Sequence, residues 1–362
     1  MIKYLGSKRT LVPLLLRVVR SIPSVRTVVD LFSGTSRVGH ALKRSGFRVL
    51  SNDHNAYAQR LAQCYVQADR EDVVPRAEAL LAELQALPGK PGYFTETYCV
   101  ASRFFHPKNG ARIDAIRDAI EELALEPELE AVLLVSLMEA ADRVDSTTGV
   151  QMAYLKQWAP RAEKDLELRM PEVLPRARHG KGQAHCLEAL DAARALEGDL
   201  LYLDPPYNQH SYLGNYHIWE SLVRWDRTPV YGVACKRVDC RERRSVFNSR
   251  PRILDALSAV LRATTAHTVV ASFNNEGYIE RGQMEQLLSS LWGGNAKVLT
   301  IPVDYKRYVG AQIGIYNPSG QKVGRVSHLR NVEYLYVASE RDLGRELSEL
   351  EGQSPRQPDL LG

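Results

Sequence analysis

The stretch "LLYLDPPYNQHSY", residues 200–212, places an acid, two prolines and a tyrosine directly after an apolar run. The apolar run reads as a short strand that is buried on both faces, as in a parallel sheet. Because Pro205 and Pro206 have no N–H group, they must end the hydrogen-bonded ladder of that strand. The chain therefore leaves the sheet with the carboxylate of Asp204, two rigidly held carbonyls and the ring of Tyr207. This combination indicates a site.

A second candidate site lies earlier, in "DLFSGTSRVG", residues 30–39. Asp30 ends a predicted strand, and Gly34 makes a turn that brings the backbone close to a ligand above the strand ends. Asp53 follows Gly34 by 19 residues, at the end of the next strand, where an acid can accept hydrogen bonds from both hydroxyls of a ribose. The loop is not GxGxxG and the chain has no GxxxxGK[ST]. The pattern thus predicts a nucleotide-type cofactor rather than a dinucleotide or a P-loop triphosphate.

The composition is typical of a globular protein outside the membrane, with 44% hydrophobic and 25% charged residues. No apolar run approaches the ~20 residues that a membrane span needs, and the start of the chain lacks the apolar core of a signal peptide. The five cysteines are odd in number and form no CxxC pair. We therefore expect a cytoplasmic protein without a disulfide framework or a metal site.

The positive charge is concentrated in one segment. The formal net charge of the chain is +4, and residues 236–252, "KRVDCRERRSVFNSRPR", hold seven Lys or Arg against two acids. A basic segment on an otherwise nearly neutral chain favours a polyanionic partner. A solvated charged loop is the alternative interpretation.

The elements that must position these residues predict an α/β fold with a doubly wound, mostly parallel sheet. Residues 1–55 and 181–340 form this discontinuous domain. Residues 56–180 show apolar positions three and four apart and are predicted to be a helical insertion, since an unstructured connection of that length is implausible. A hairpin turn is predicted at 318–320, and 341–362 reads as a polar tail.

Several motifs in this order resemble those of the D12 class, the Dam-like family of adenine-specific DNA methyltransferases. They are "KYLGSKR", "DLFSGTSRVG", "SND" and "LDPPY", followed by "VASFNNEGY". The resemblance implies the S-adenosylmethionine-dependent methyltransferase fold, with S-adenosylmethionine as cofactor and the insertion in the position of target recognition. It further implies double-stranded DNA as a partner. A role in restriction–modification follows, with a cognate restriction endonuclease as a functional partner.

The resemblance also assigns residues around the cofactor. Tyr4 and Lys8 would close over it, Lys8 near its carboxylate, and Phe32 would pack against it. The family often has an acid after the third strand, but here the stretch reads "AHCLEAL". Cys186 or Glu188 would then occupy the position that contacts the cofactor's adenine.

The tetrapeptide accounts for methylation of an aromatic amine. The 6-amino nitrogen of adenine is a poor nucleophile because its lone pair is delocalised into the ring. Asp204, which would also border the cofactor, can accept one amino hydrogen, and the Pro205 carbonyl can accept the other. This localises the lone pair for in-line attack on the sulfonium methyl. Tyr207 can stack on the base after it is flipped out of the duplex.

DNA contacts are predicted in two places. In the loops of the insertion, Arg112 could read guanine and Gln151 could read adenine in the major groove. The basic segment 236–252 is expected to grip phosphates, which positions the duplex without reading its sequence. The cations predicted to do so are Lys236, Arg237, Arg243 and Arg244.

Two alternatives remain at the level of sequence. One is an RNA or protein amino-methyltransferase, since related tetrapeptides also serve other planar amines. The large insertion and the N-terminal lysine motif favour DNA. The other is a non-catalytic module that binds S-adenosylmethionine and DNA, against which the intact residues 204–207 argue.

Overall fold

A computed structural model describes residues 1–6, 8–306 and 330–347. It confirms the predicted α/β fold with a mostly parallel central sheet. The strands are β1 Thr27–Asp30, β2 Arg48–Asn52, β3 Gln183–His185, β4 Leu200–Leu203, β5 Val230–Tyr231, β6 Lys236–Arg237, β7 Thr268–Asn274, β8 Lys297–Lys306 and β9 Arg330–Ser339.

The helices flank the sheet and form a second body beside it. They are α1 Val12–Arg20, α2 Arg37–Arg44, α3 Ala56–Ala62, α4 Arg70–Ala86, α5 Tyr93–Thr95, α6 Pro107–Glu122, α7 Pro127–Arg143, α8 Ala189–Ala195, α9 Tyr212–Asn215, α10 His217–Arg224, α11 Ile253–Ala263, α12 Arg281–Ser289, α13 Leu291–Gly294 and α14 Gly344–Leu347. Helices α3 and α5 continue as π-helical turns over Gln63–Gln67 and Glu96–Val100.

The seven-stranded sheet has the order β3-β2-β1-β4-β7-β9-β8. From β3 to β7 all neighbours are parallel, and β9 runs antiparallel between β7 and β8. Strands β4 and β7 are buried along their whole length, which explains why "LLYL" is continuously apolar rather than alternating. The chain moves outward from β1 to β2 on one side and to β4 on the other. Such a switch point opens a ligand crevice at the carboxyl ends of the strands.

The helical body takes in more than the predicted insertion. Its core joins the helices between α3 and α7 to residues of α10 and the β5–β6 hairpin, including Trp219, Leu222 and Cys235. Arg117 of α6 reinforces this packing by donating hydrogen bonds to the carbonyl of Leu222, at 2.8 Å, and to another in α10. The helices of the insertion end at α7, and the chain is then largely irregular up to β3.

Two predicted features fall on parts of the chain that are not described. The hairpin turn at 318–320 lies outside the described residues, and so does most of the polar tail, of which the structure includes 341–347. Within the described ranges, no helix combines the length and the apolar character that crossing a membrane requires.

Candidate active site

The carboxyl ends of β1, β2 and β4 open into one cavity. It brings together the two candidate sites that the sequence places more than 150 residues apart. The predicted residues that line it are Tyr4, Lys8, Asp30, Phe32, Gly34, Asp53, Glu188, Asp204, Pro206 and Arg243.

The register of the central strands explains this convergence. Asp30 lies beside Ser51 of β2 on one side and beside Tyr202 of β4 on the other. Two residues beyond each of these neighbours the chain reaches Asp53 and Asp204. Because the strands are parallel, these carboxylates leave the sheet at the same edge as Asp30.

The first loop is held by the acid that follows β2. Gly34 has a φ of +49°, in the left-handed region that favours glycine. The Asp53 carboxylate accepts hydrogen bonds from the backbone N–H groups of Gly34 and Asn55, both at 3.0 Å. Burial raises the pKa of Asp53, while His54 and these N–H groups oppose the shift. The acid predicted to bind a ribose thus also fixes the glycine turn.

Asp204, the predicted catalytic acid of the tetrapeptide, contacts a buried lysine. Oδ1 of Asp204 is 3.0 Å from Nζ of Lys8, and the same ammonium contacts Glu333 of β9. Burial raises the pKa of Asp204 to about 6, with Lys8 opposing the shift and Glu333 adding to it. Burial disfavours the charge on Lys8, but its two acidic neighbours prevail and raise the pKa of Lys8. At neutral pH the site therefore holds a carboxylate at Asp204 beside an ammonium.

The rest of the tetrapeptide is fixed by packing. The ring of Tyr207 lies edge-on to Phe273 of β7, with centroids 5.6 Å apart, and its carbonyl accepts a hydrogen bond from the N–H of Tyr278 at 3.0 Å. Pro205 is buried. In the described part of the chain, the cavity lining includes Pro206 but not Pro205 or Tyr207.

A stack of tyrosines covers the cavity on the side of the N-terminal segment. The ring of Tyr4 stacks between Tyr212, at 5.1 Å, and Tyr216, at 4.4 Å, and its hydroxyl is 3.1 Å from that of Tyr57. The sequence reasoning found Tyr4 but not its partners. The signal was available, because two tyrosines four residues apart follow the tetrapeptide closely and can share one face of a helix.

Buried polar atoms without partners concentrate around the cavity. Native interiors pair nearly all such atoms, so unpaired ones in a cavity wall fit a polar ligand. Among the described residues, the lining residues that carry such atoms are Asp30, Ser33, Arg37, Asn55 and Tyr202.

Asp30 is costly to leave charged. Burial raises its pKa to about 8, and the negative charges of Asp204 and Asp53 add to the shift. At neutral pH the ligand-free site therefore holds Asp30 mainly in its protonated form. A cationic group bound nearby would stabilise the ionised form instead.

The basic segment divides into internal and exposed cations. The side chain of Arg237 is 2% exposed and makes two 2.7 Å hydrogen bonds to Asp226. Arg243 lines the cavity and donates to Glu220 and to the carbonyl of His54, each at 2.8 Å. Arg244, by contrast, is exposed, and Lys236 is half-buried.

The two base readers predicted in the insertion make internal contacts. Gln151 is buried, and its side-chain oxygen accepts a hydrogen bond from the N–H of Ile218 at 2.8 Å. Arg112 donates to the carbonyl of Gln85 at 2.7 Å. The placement of Gln151 and Arg237 favours a structural role over contact with DNA, because desolvated and paired groups have no edge to offer a base.

The stretch after β3 presents one of its two candidate residues to the cavity. Glu188 lines it, together with Leu187 and Ala189. In the described structure, Cys186 is exposed and is not part of the lining. Glu188 is therefore the better placed of the two to approach a ligand.

Replacing Asp30 by asparagine tests its unusual charge. An acid whose pKa is raised by folding binds its proton more tightly in the folded chain. The free energy of unfolding of the ligand-free protein should therefore fall as pH rises between about 4 and about 8. We expect Asp30→Asn to flatten this dependence by up to ~1.4 kcal/mol per pH unit, as measured by denaturant unfolding from pH 5 to 7. If Asp30→Asn and the exposed control Asp191→Asn show the same slope of unfolding free energy against pH, the raised pKa is wrongly assigned to Asp30.

Comparison with known proteins identifies the family of the chain. The family model described as D12 class N6 adenine-specific DNA methyltransferase matches residues 4–275. Type II methyltransferase M.NlaIII of Neisseria lactamica is 30% identical, covering 84% of this chain and 92% of that protein. Type II methyltransferase M.CviAII of Paramecium bursaria Chlorella virus 1 is 26% identical, covering 80% of this chain and 88% of its own length.

Modification methylase StsI of Streptococcus sanguinis is longer, and the chain spans about half of it, 48%, at 26% identity. The matched region runs from the N-terminal lysine motif to the end of β7 and includes the tetrapeptide. The family is specific for adenine in DNA, which decides against RNA or protein as the substrate and against a non-catalytic module. With a family match over most of its length and a 30% identical relative covered almost completely, this chain belongs to the D12 class of N6 adenine-specific DNA methyltransferases.

Proposed function

We propose that this DNA methyltransferase takes its methyl group from S-adenosylmethionine, methylates adenine in a specific double-stranded sequence, and protects DNA from a cognate restriction endonuclease. The observation that carries the proposal is the shared cavity of the first loop and the tetrapeptide. A cofactor bound against the loop would lie next to the residues that hold the amino group.

The polar groups of the cavity match the parts of S-adenosylmethionine. Asp53, at the end of β2, suits the ribose hydroxyls, and Asp30 suits the positive end of the methionine. Arg37 begins α2 with a buried, unpaired Nε in the cavity wall, and it suits the carboxylate together with the helix N-terminus. Lys8 suits the carboxylate less well, because it already contacts two acids. The cofactor supplies a methyl group on a positively charged sulfur.

The residues of the tetrapeptide act on the amino group of the base. Asp204 accepts a hydrogen bond from one amino hydrogen and the Pro205 carbonyl accepts a hydrogen bond from the other, which draws the nitrogen lone pair out of the ring. Because the pKa of Asp204 is about 6, the carboxylate is available to accept at neutral pH. The Tyr207 ring stacks on the flipped base.

The phosphate backbone is gripped by exposed arginines of the segment 236–252. The guanidinium of Arg241 lies 3.9 Å from the centroid of the Tyr231 ring, which holds it against β5. The exposed arginines of this segment are Arg241, Arg244, Arg250 and Arg252. Arg243 follows the hairpin and lines the cavity. Along the chain the exposed arginines lie before and after Arg243, so the segment that carries them also reaches the proposed site of reaction.

The relatives' names support the biological role. Two of them are named Type II methyltransferases and another a modification methylase. We infer that this chain likewise methylates the recognition sequence of a restriction endonuclease. The endonuclease is a partner in function and need not touch the methyltransferase.

Removing the catalytic carboxylate should separate chemistry from cofactor binding. We expect Asp204→Ala to slow methyl transfer by at least about 100-fold, because one acceptor for the amino hydrogens is lost. Calorimetric affinity for S-adenosylmethionine should change only modestly. Single-molecule sequencing of DNA from cells that express each protein reveals methylated adenines and their sequence context. Near-wild-type methylation by Asp204→Ala would contradict the mechanism.

The cofactor assignment is tested at Asp53. We expect Asp53→Ala to weaken S-adenosylmethionine binding by about 1–3 kcal/mol, because its hydroxyl partners are left unpaired and Gly34 loses its anchor. The exposed Asp191→Asn is the control. Unchanged affinity removes Asp53 from the site, and equal binding of NAD overturns the choice of cofactor.

The exposed arginines should act on all duplexes alike. We expect Arg244→Ala with Arg250→Ala to lower affinity for cognate and non-cognate DNA by similar factors. The slope of log affinity against log salt should become shallower by about one per lost phosphate contact. Arg262→Ala, an exposed arginine of α11, serves as the control. A change in sequence preference at an unchanged salt slope would instead make the segment a base-reading element.

A further inference from the structure

Glu333 is a buried acid that the family assignment leaves without a role. It lies on β9, beyond the matched residues 4–275, and is 7% exposed. Across the sheet it stands opposite Asn274, the last residue of β7. An acid buried inside a sheet is costly unless charged or hydrogen-bonding partners compensate it.

Its two contacts point toward the site of reaction. The Glu333 carboxylate contacts the ammonium of Lys8 and accepts a 2.5 Å hydrogen bond from the hydroxyl of Ser272, which is fully buried on β7. Ser272 therefore fixes the carboxylate on a rigid strand, and the carboxylate in turn fixes the lysine.

Lys8 bridges two carboxylates. Its Nζ is 3.0 Å from Oδ1 of Asp204, and its side chain is only 10% exposed. A lysine side chain has four rotatable bonds, so one contact with Asp204 would leave the ammonium free to swing. The second contact removes that freedom. The trio carries two negative charges and one positive charge, a net charge of −1.

We infer that Glu333 is a positioning residue for methyl transfer, which holds the Lys8 ammonium against one oxygen of Asp204 so that the other oxygen faces the adenine amino group. The inference rests on the proposed role of Asp204. It assigns Lys8 to the orientation of the catalytic acid rather than to the cofactor's carboxylate.

This role explains why a second acid, Glu333, contacts Lys8, which already pairs with Asp204. Lys8 alone would draw the Asp204 carboxylate into a tight ion pair and weaken it as a hydrogen-bond acceptor. Glu333 shares the ammonium, and its negative charge raises the pKa of Asp204 while Lys8 lowers it. The carboxylate keeps both a fixed direction and its ability to accept a hydrogen.

Three variants of the full-length protein test the role. In Glu333→Ala the anchor is gone, and we expect kcat with saturating DNA and S-adenosylmethionine to fall by about 100-fold, the effect of a misplaced reacting group. In Glu333→Gln an amide oxygen can still accept from Lys8, and we expect kcat to return to within about 5-fold of wild type by the same argument. Glu340→Gln, just beyond the far end of β9, is the control. Calorimetric affinity for S-adenosylmethionine should stay within about 3-fold in all three.

The pH profile separates positioning from a purely structural role. The acidic limb of kcat should lie near pH 6 in the wild type, where Asp204 becomes protonated. In Glu333→Gln it should move to lower pH by about half a unit or more, because a negative charge next to Asp204 has been removed.

The outcomes distinguish this inference from the proposed function. Wild-type kcat in Glu333→Ala overturns it, and so does an unmoved acidic limb in Glu333→Gln, a measurement that decides alone if the alanine variant does not fold. A rate loss fully explained by weaker cofactor binding also overturns it. If the wild-type protein itself transfers no methyl group from S-adenosylmethionine to adenine, the proposed function fails instead.

Discussion

The pairing of β1 with β4 at the centre of the sheet is the constraint on which the site depends. It places Asp30 beside Tyr202, and each of these strands then leads its chain out of the same edge. One strand ends in a glycine turn suited to a nucleotide-type ligand, and the other ends in an acid and two prolines. Neither loop forms a site alone. Their groups can act on one ligand because β1 and β4 are direct neighbours in the sheet, although more than 150 residues separate the two loops in the sequence.

That intervening chain is more than a spacer. The helical body packs onto α9 and α10, which follow the tetrapeptide directly, and its core includes residues on both sides of β4. The loop that contains the tetrapeptide is therefore attached at its start to the sheet and at its end to the helical body. The tyrosine stack extends this attachment, because Tyr4 comes from the start of the chain and both of its partners come from the α9–α10 region. The lining of the cavity thus depends on three distant parts of the sequence.

Local chemistry could be predicted from the sequence, and long-range burial could not. Gly34 and Asp204 can be recognised in the sequence because a turn conformation and the end of a strand's hydrogen-bonded ladder are properties of a few neighbouring residues. Glu333 has no such local mark, since only the antiparallel return of β9 brings it to Lys8. Gln151 and Arg237 show the converse, because a polar side chain in a loop or a basic run is expected to be exposed, whereas the structure buries both side chains against partners within the chain. Arg237 lies within a run of cations and pairs with two acids, Asp239 inside that run and Asp226 outside it.

The negative balance of charge around Asp204 has a consequence for the order of events in a catalytic cycle. Two acids share one ammonium there, and Asp30 adds a third acid that can ionise when a cation approaches. On the proposed chemistry, the donor enters with a positively charged sulfur and leaves with a neutral one, since the methyl group departs without the bonding electrons. The part of the electrostatic attraction that acts on the sulfur is therefore lost in the transfer step, whereas the attraction between Asp30 and the methionine ammonium remains. On the proposed chemistry the net negative charge of the cavity therefore favours the donor over its demethylated product, which favours exchange after each turnover.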